Sequence, residues 1–76
     1  MKKKELLIKI KDVLLRKDPI NSSMKLSEIE EWDSLAIISI ISLYDKNFYK
    51  VITIEKINKC ETIKDLINLV SDKIEN

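Results

Sequence analysis

Glycine and histidine are absent from this 76-residue chain, and proline and cysteine each occur once. Without glycine, the tight turns that need a positive φ lack their natural occupant, which argues against a sheet of short hairpins. Without histidine, the usual zinc combinations and every Ser-His or Cys-His nucleophile system are excluded, so no metal site and no enzyme are expected. Cys60, being alone, forms no internal disulfide. No apolar run approaches the roughly 20 residues needed to span a bilayer, so no stable membrane insertion is expected. The Met-Lys-Lys-Lys opening has the charge of a secretion leader. However, Glu5, Lys9, Lys11 and Asp12 interrupt what would have to be its apolar segment, and the reading is the start of a cytoplasmic helix. An excess of one charge is missing too. Fourteen Lys and Arg face thirteen Asp and Glu for a net charge of +1, so no overall basic field draws nucleic acid.

What is present is a hydrophobic fraction of 45% beside a charged fraction of 36%, the balance of a folded chain rather than a disordered one. The length suits a single domain over residues 1–76, close to the lower limit for a core without disulfides or metal. Apolar residues recur three and four apart, which predicts an all-α fold: a small four-helix bundle of three longer helices and one short one. The first helix is expected from about Lys3 to Arg16, with Leu6, Leu7, Ile10, Val13 and Leu14 on its buried side and Asp18-Pro19 ending it. Some fifteen residues without a period follow. Met24, Leu26, Ile29 and Trp32 offer anchors for a strap laid across the bundle, with one helical turn expected around residues 27–31.

The second helix is expected to start at Ser34, with Asp33 as N-cap accepting from the N–H of Leu35 or Ala36. Ile37, Ile40, Ile41, Tyr44 and Phe48 form its expected core stripe, leaving Leu35, Ala36, Ile38, Ser39 and Ser42 on the opposite side. A short helix from Thr53 or Ile54 to near Lys59 points Ile57 inward. A last helix opens with Thr62 as cap and Asp65 three residues on, close to a capping box, and carries Ile63, Leu66, Ile67, Val70 and Ile74 on one stripe. Cys60 reads as a small half-buried core residue and Trp32 as a structural anchor of the strap.

Ser34 follows an acidic cluster of Glu28, Glu30, Glu31 and Asp33. It has three possible roles: part of the helix cap, an internal nucleophile, or an acceptor modified by another enzyme. The nucleophile role lacks a base, because there is no histidine and carboxylates are weak substitutes. The acceptor role has a physical basis, since a phosphate ester at a helix N-terminus meets unpaired backbone N–H groups and the positive end of the dipole.

Asp33-Ser34-Leu35 resembles the Asp-Ser-Leu signature of acyl carrier proteins. It lies in mid-chain after a long connection, at the start of a helix that closes with Asp45, Lys46, Asn47 and Phe48. From Asp33 to about Val70, Phe48, the short helix around Ile57 and the Thr62-Ile63-Lys64-Asp65-Leu66 opening all fall at carrier-like spacing. The first helix and its linker match only in length and pattern. The resemblance implies that a phosphopantetheinyl transferase attaches 4'-phosphopantetheine from coenzyme A to Ser34. It also implies that the arm's thiol holds an acyl group as a thioester for acyl-loading and acyl-transfer enzymes, and that the carrier is a cytoplasmic monomer. Leu35 and Ile38 would meet those partners, with Asp33, Asp45 and Glu31 steering them by charge. Ala36 and Ser39 stand at positions commonly acidic in fatty-acid carriers, Tyr49 at a common glycine and Thr53 at a common proline, and the sequence isoelectric point is about 7.8. These departures tell against a housekeeping fatty-acid role, and the Glu31-Trp32-Asp33-Ser34-Leu35 stretch resembles stand-alone carriers of specialised or cell-envelope pathways, with hydroxyacyl, aminoacyl or small organic acyl cargo. The alternative is a small helical adaptor that binds a protein through Leu35 and Ile38 and is never modified; a basic helical DNA binder comes third.

Overall fold

The computed structural model describes residues 1–75. Among them are four α-helices, α1 (Lys3–Val13), α2 (Ser34–Phe48), α3 (Ile54–Asn58) and α4 (Ile63–Asn68), with 3-10 turns at Leu26–Glu28 and Ser71–Lys73 and no β-strand. The all-α expectation holds, but two helices are long and two short, rather than three long and one short.

One core cluster joins Leu6, Ile10 and Leu14 of the first helical segment to Ile40, Tyr44 and Phe48 of α2, Ile57 of α3 and Leu66 of α4. Tyr44 is fully buried at its centre, and its hydroxyl donates to the Leu66 carbonyl at 2.7 Å, so this buried hydroxyl has a partner. Its ring meets Phe48 edge to face with centroids 5.8 Å apart. The column facing the core is Ala36, Ile40, Tyr44 and Phe48, at a spacing of four. Ala36 is therefore buried, against its expected place on the outer side, while Ile37 and Ile41 are only half-buried at the flanks. A helix apolar on nearly every side carries too little contrast to set its rotation to within one residue.

The strap is fastened at both ends. Ile20, Leu26 and Ile29 are buried along it, Ile20 being an anchor that the periodicity did not mark. The Leu26 N–H donates to the Glu61 carbonyl at 2.8 Å. In return, the Ile63 and Lys64 N–H groups of α4 donate to the Met24 and Ser22 carbonyls at 3.0 and 2.9 Å. The third first-turn donor, Asp65 N–H, goes to Thr62 Oγ1, and Asp65 Oδ2 accepts from the Thr62 N–H at 3.2 Å, completing the capping box. The helical turn expected at residues 27–31 is the 3-10 turn Leu26–Glu28.

Two helix ends differ from expectation for stated reasons. The first helix stops at Val13 rather than Arg16, because Leu15 turns into the left-handed region at φ 57° while its N–H and that of Arg16 close back onto the Asp12 and Lys11 carbonyls. Pro19 lies beyond that stop. Arg16 instead pairs with Glu31 at 3.1 Å, tying the end of α1 to the strap. At the other end, α4 stops at Asn68. Val70 (φ −124°, ψ 26°) has left the helix, although it remains fully buried, and Ile74 is extended. The extension lets Glu75 pair with the chain start: its N–H donates to the Met1 carbonyl at 2.8 Å and its carbonyl accepts the Lys3 N–H at 3.1 Å. Lys2 gives α1 no side-chain cap, so a backbone carbonyl from the far end of the chain satisfies that donor.

Candidate functional site

Ser34 is exposed at the first position of α2. Asp33, in extended backbone, carries the cap: its Oδ1 accepts the Ala36 N–H at 2.8 Å, choosing between the two donors expected. The hydroxyl of Ser34 is thus not the group that holds the helix end. Helix geometry leaves the Ser34 and Leu35 N–H groups without intrahelical acceptors, and they lie at the positive end of a helix that runs to Phe48. An anionic group on Ser34 Oγ would meet both.

A shallow cavity of about 220 Å³ opens beside the serine, lined by Ser34, Ile37, Ile38, Ile54 and Asn58. Its far wall comes from α3. Sequence reading had singled out only Ile57 there, the inward residue; the four-residue spacing of Ile54 and Asn58 was the signal that they share one side. Leu35 and Ile38, 70% and 57% exposed, flank the hydroxyl. On its other side a groove of about 500 Å³ runs between α2 and the end of α1, with Asp33, Leu35 and Leu15 among its lining residues.

Of the residues expected at the site, Asp33, Ser34, Leu35 and Ile38 come together. Glu31 borders the same groove, but its carboxylate is engaged by Arg16. Asp45 is exposed at the opposite end of α2, about 16 Å along the axis from Ser34, on nearly the same side of the helix. Any surface that includes both extends over the whole length of α2.

Cys60 is half-buried, and its thiol contacts the Lys56 carbonyl at 3.5 Å. Burial first and the neighbouring Asp65 carboxylate second push its pKa up, which keeps it a protonated thiol and a poor nucleophile. Trp32 packs half-buried against the core and borders a different depression, with Cys60 and Glu61, away from the serine. No helix among the described residues is long and apolar enough to cross a membrane.

A scan against protein-family models, a search of curated proteins and a search of solved structures each return no match. The case for a function therefore rests on the residues and their arrangement.

Proposed function

We propose that the chain is an acyl carrier protein, a non-catalytic tether in which a phosphopantetheinyl transferase loads Ser34 with 4'-phosphopantetheine from coenzyme A. The arm's terminal thiol then carries an acyl or aminoacyl intermediate as a thioester between partner enzymes of a specialised or cell-envelope pathway. The observation that carries the reading is Ser34 itself: exposed, first in the longest helix, relieved of capping duty by Asp33, and flanked by exposed Leu35 and Ile38. A second feature agrees with it. Tyr49, where the resemblance places a glycine, holds φ 53°, the conformation in which glycine is the favoured residue.

In this reading Ser34 Oγ attacks the β-phosphorus of coenzyme A. The bond between that phosphorus and the bridging pyrophosphate oxygen breaks, adenosine 3',5'-bisphosphate leaves, and the hydroxyl proton passes to the transferase. The carrier contributes an accessible hydroxyl and two backbone donors near the new phosphodiester. Its later contribution is effective concentration, since a tethered intermediate meets successive active sites without being released.

The test is incubation with a broad-specificity phosphopantetheinyl transferase and coenzyme A, followed by intact-mass measurement of wild type and Ser34→Ala. One arm on the wild type and none on the variant is the expected result. A wild type that stays bare while Ser34→Ala keeps its biological function would leave the unmodified adaptor, docking through Leu35 and Ile38, as the better reading.

A further inference from the structure

Leu15 is an anomaly that folding does not explain. Its backbone is left-handed at φ 57°, and its side chain, 88% exposed, is the most exposed of the large aliphatic residues. Glycine or asparagine would close the end of α1 with less strain, and a polar residue would sit more comfortably in water. The leucine is nonetheless placed where it does something: it walls, from the α1 side, the groove lined by Asp33 and Leu35, the two residues that bracket Ser34 in the chain. Val13, Leu35 and Ala36 add apolar surface to that groove, and Glu31 and Asp33 are its only charged lining residues among those described. The Arg16 to Glu31 ion pair fixes the wall relative to the strap, and through the strap to Asp33. With Glu31 already neutralised by Arg16, Asp33 is the lining carboxylate that has no cation of its own, and an apolar trough edged by that one carboxylate fits an apolar side chain accompanied by lysine or arginine.

We propose that this groove, with Leu15 as its outer wall, is the docking surface for the enzyme that modifies Ser34, and that this partner seats an apolar side chain flanked by a cation in it. The proposal rests on the carrier reading and adds the end of α1 to the recognition surface.

The experiment measures arm transfer by a phosphopantetheinyl transferase to the full chain at varied carrier concentration, for wild type, Leu15→Gly, Leu15→Met and Val51→Ala. Urea unfolding is followed in parallel. Leu15→Gly is expected to unfold at or above the wild-type midpoint, because it relieves a left-handed leucine. Its kcat/KM is expected to fall about tenfold, mainly through KM, as for loss of a central contact. Leu15→Met should recover most of that loss. Val51→Ala, altering a 77% exposed residue that does not line the groove, should match wild type. Added salt should raise the wild-type KM.

Transfer to Leu15→Gly within about twofold of wild type overturns the docking proposal and leaves the carrier reading standing. So does a loss of transfer accompanied by a lowered unfolding midpoint, which would mean that Leu15 acts through the fold. A wild type that sediments as a dimer, and as a monomer once Leu15→Gly is introduced, also overturns it by assigning the groove to a second copy. A wild type that accepts no arm overturns both proposals.

Discussion

Tyr49 closes α2 with a left-handed backbone at φ 53° and a side chain that is 91% exposed. Its N–H bonds to the Asp45 carbonyl at 2.9 Å, a contact any residue with an N–H can make. An L-residue in this region carries a penalty of roughly 1–2 kcal/mol that glycine avoids, partly offset by glycine's greater freedom in the unfolded chain. Tyr49→Gly is accordingly expected to raise stability by about 1 kcal/mol, read as a higher urea midpoint with an unchanged slope. An unchanged or lower midpoint would mean that the tyrosine ring makes a stabilising contact its exposure conceals. At this scale the sequence was only partly legible. A chain without glycine must still end its helices, and nothing local told Leu15 or Tyr49 from their neighbours as the residues that turn left-handed. Only the resemblance marked Tyr49, by placing it at a common glycine. Ser34 and Asp33 were legible because a cap is written within four residues of sequence.

The elements that were read correctly are those whose ends have local causes, and the capping box of α4 is the clearest. A six-residue helix is too short to persist on its own, so α4 depends on having its first-turn donors occupied. Two of those donors are held by the strap and the third by Thr62, which places the cap at the junction of strap and helix. Thr62→Ala should therefore cost about 1 kcal/mol, with faster amide exchange in both the strap around Met24 and Leu26 and the first turn of α4. If exchange rises only in α4, the strap is held by its buried side chains alone. The misread elements have distant causes. The continuation of α4 through Ile74 followed a sound periodicity, but Glu75 pairs with Met1 and Lys3, which no window around Ile74 contains. The rotation of α2 was missed for the reason that its apolar residues surround it. The α3 wall of the serine cavity depends on how α2 and α3 approach each other, which is likewise a long-range matter.

For the molecule as a whole, so small a core leaves a stability on the order of 5 kcal/mol, small enough for a few titrating groups to shape it. On the acid side, Asp65 is held below the usual carboxylate range by the Glu61 and Thr62 N–H groups, and Asp72 by the Lys50 ammonium at 2.9 Å. Their folded pKa values are depressed, so their contribution is present above about pH 3.9 and lost as pH falls further. On the alkaline side, burial first and proximity to Cys60 second raise the Tyr44 pKa well above its ordinary value. The Cys60 thiol is raised by burial and by Asp65. In both cases the folded chain keeps a proton that the unfolded chain releases, near pH 8.5 for cysteine and about pH 10 for tyrosine, so stability falls as pH rises through those values. Stability is thus expected to decline from about pH 8.5 and more steeply above about pH 10. Tyr44→Phe separates the contributions. It should cost about 1 kcal/mol at neutral pH by removing the shorter of the two hydrogen bonds to the Leu66 carbonyl, which keeps the Leu69 N–H at 3.3 Å, yet its decline above pH 10 should be shallower than that of wild type. Urea unfolding across this range checks both halves, and parallel alkaline limbs for wild type and Tyr44→Phe would show that the buried phenol is not what sets the upper pH limit of the fold.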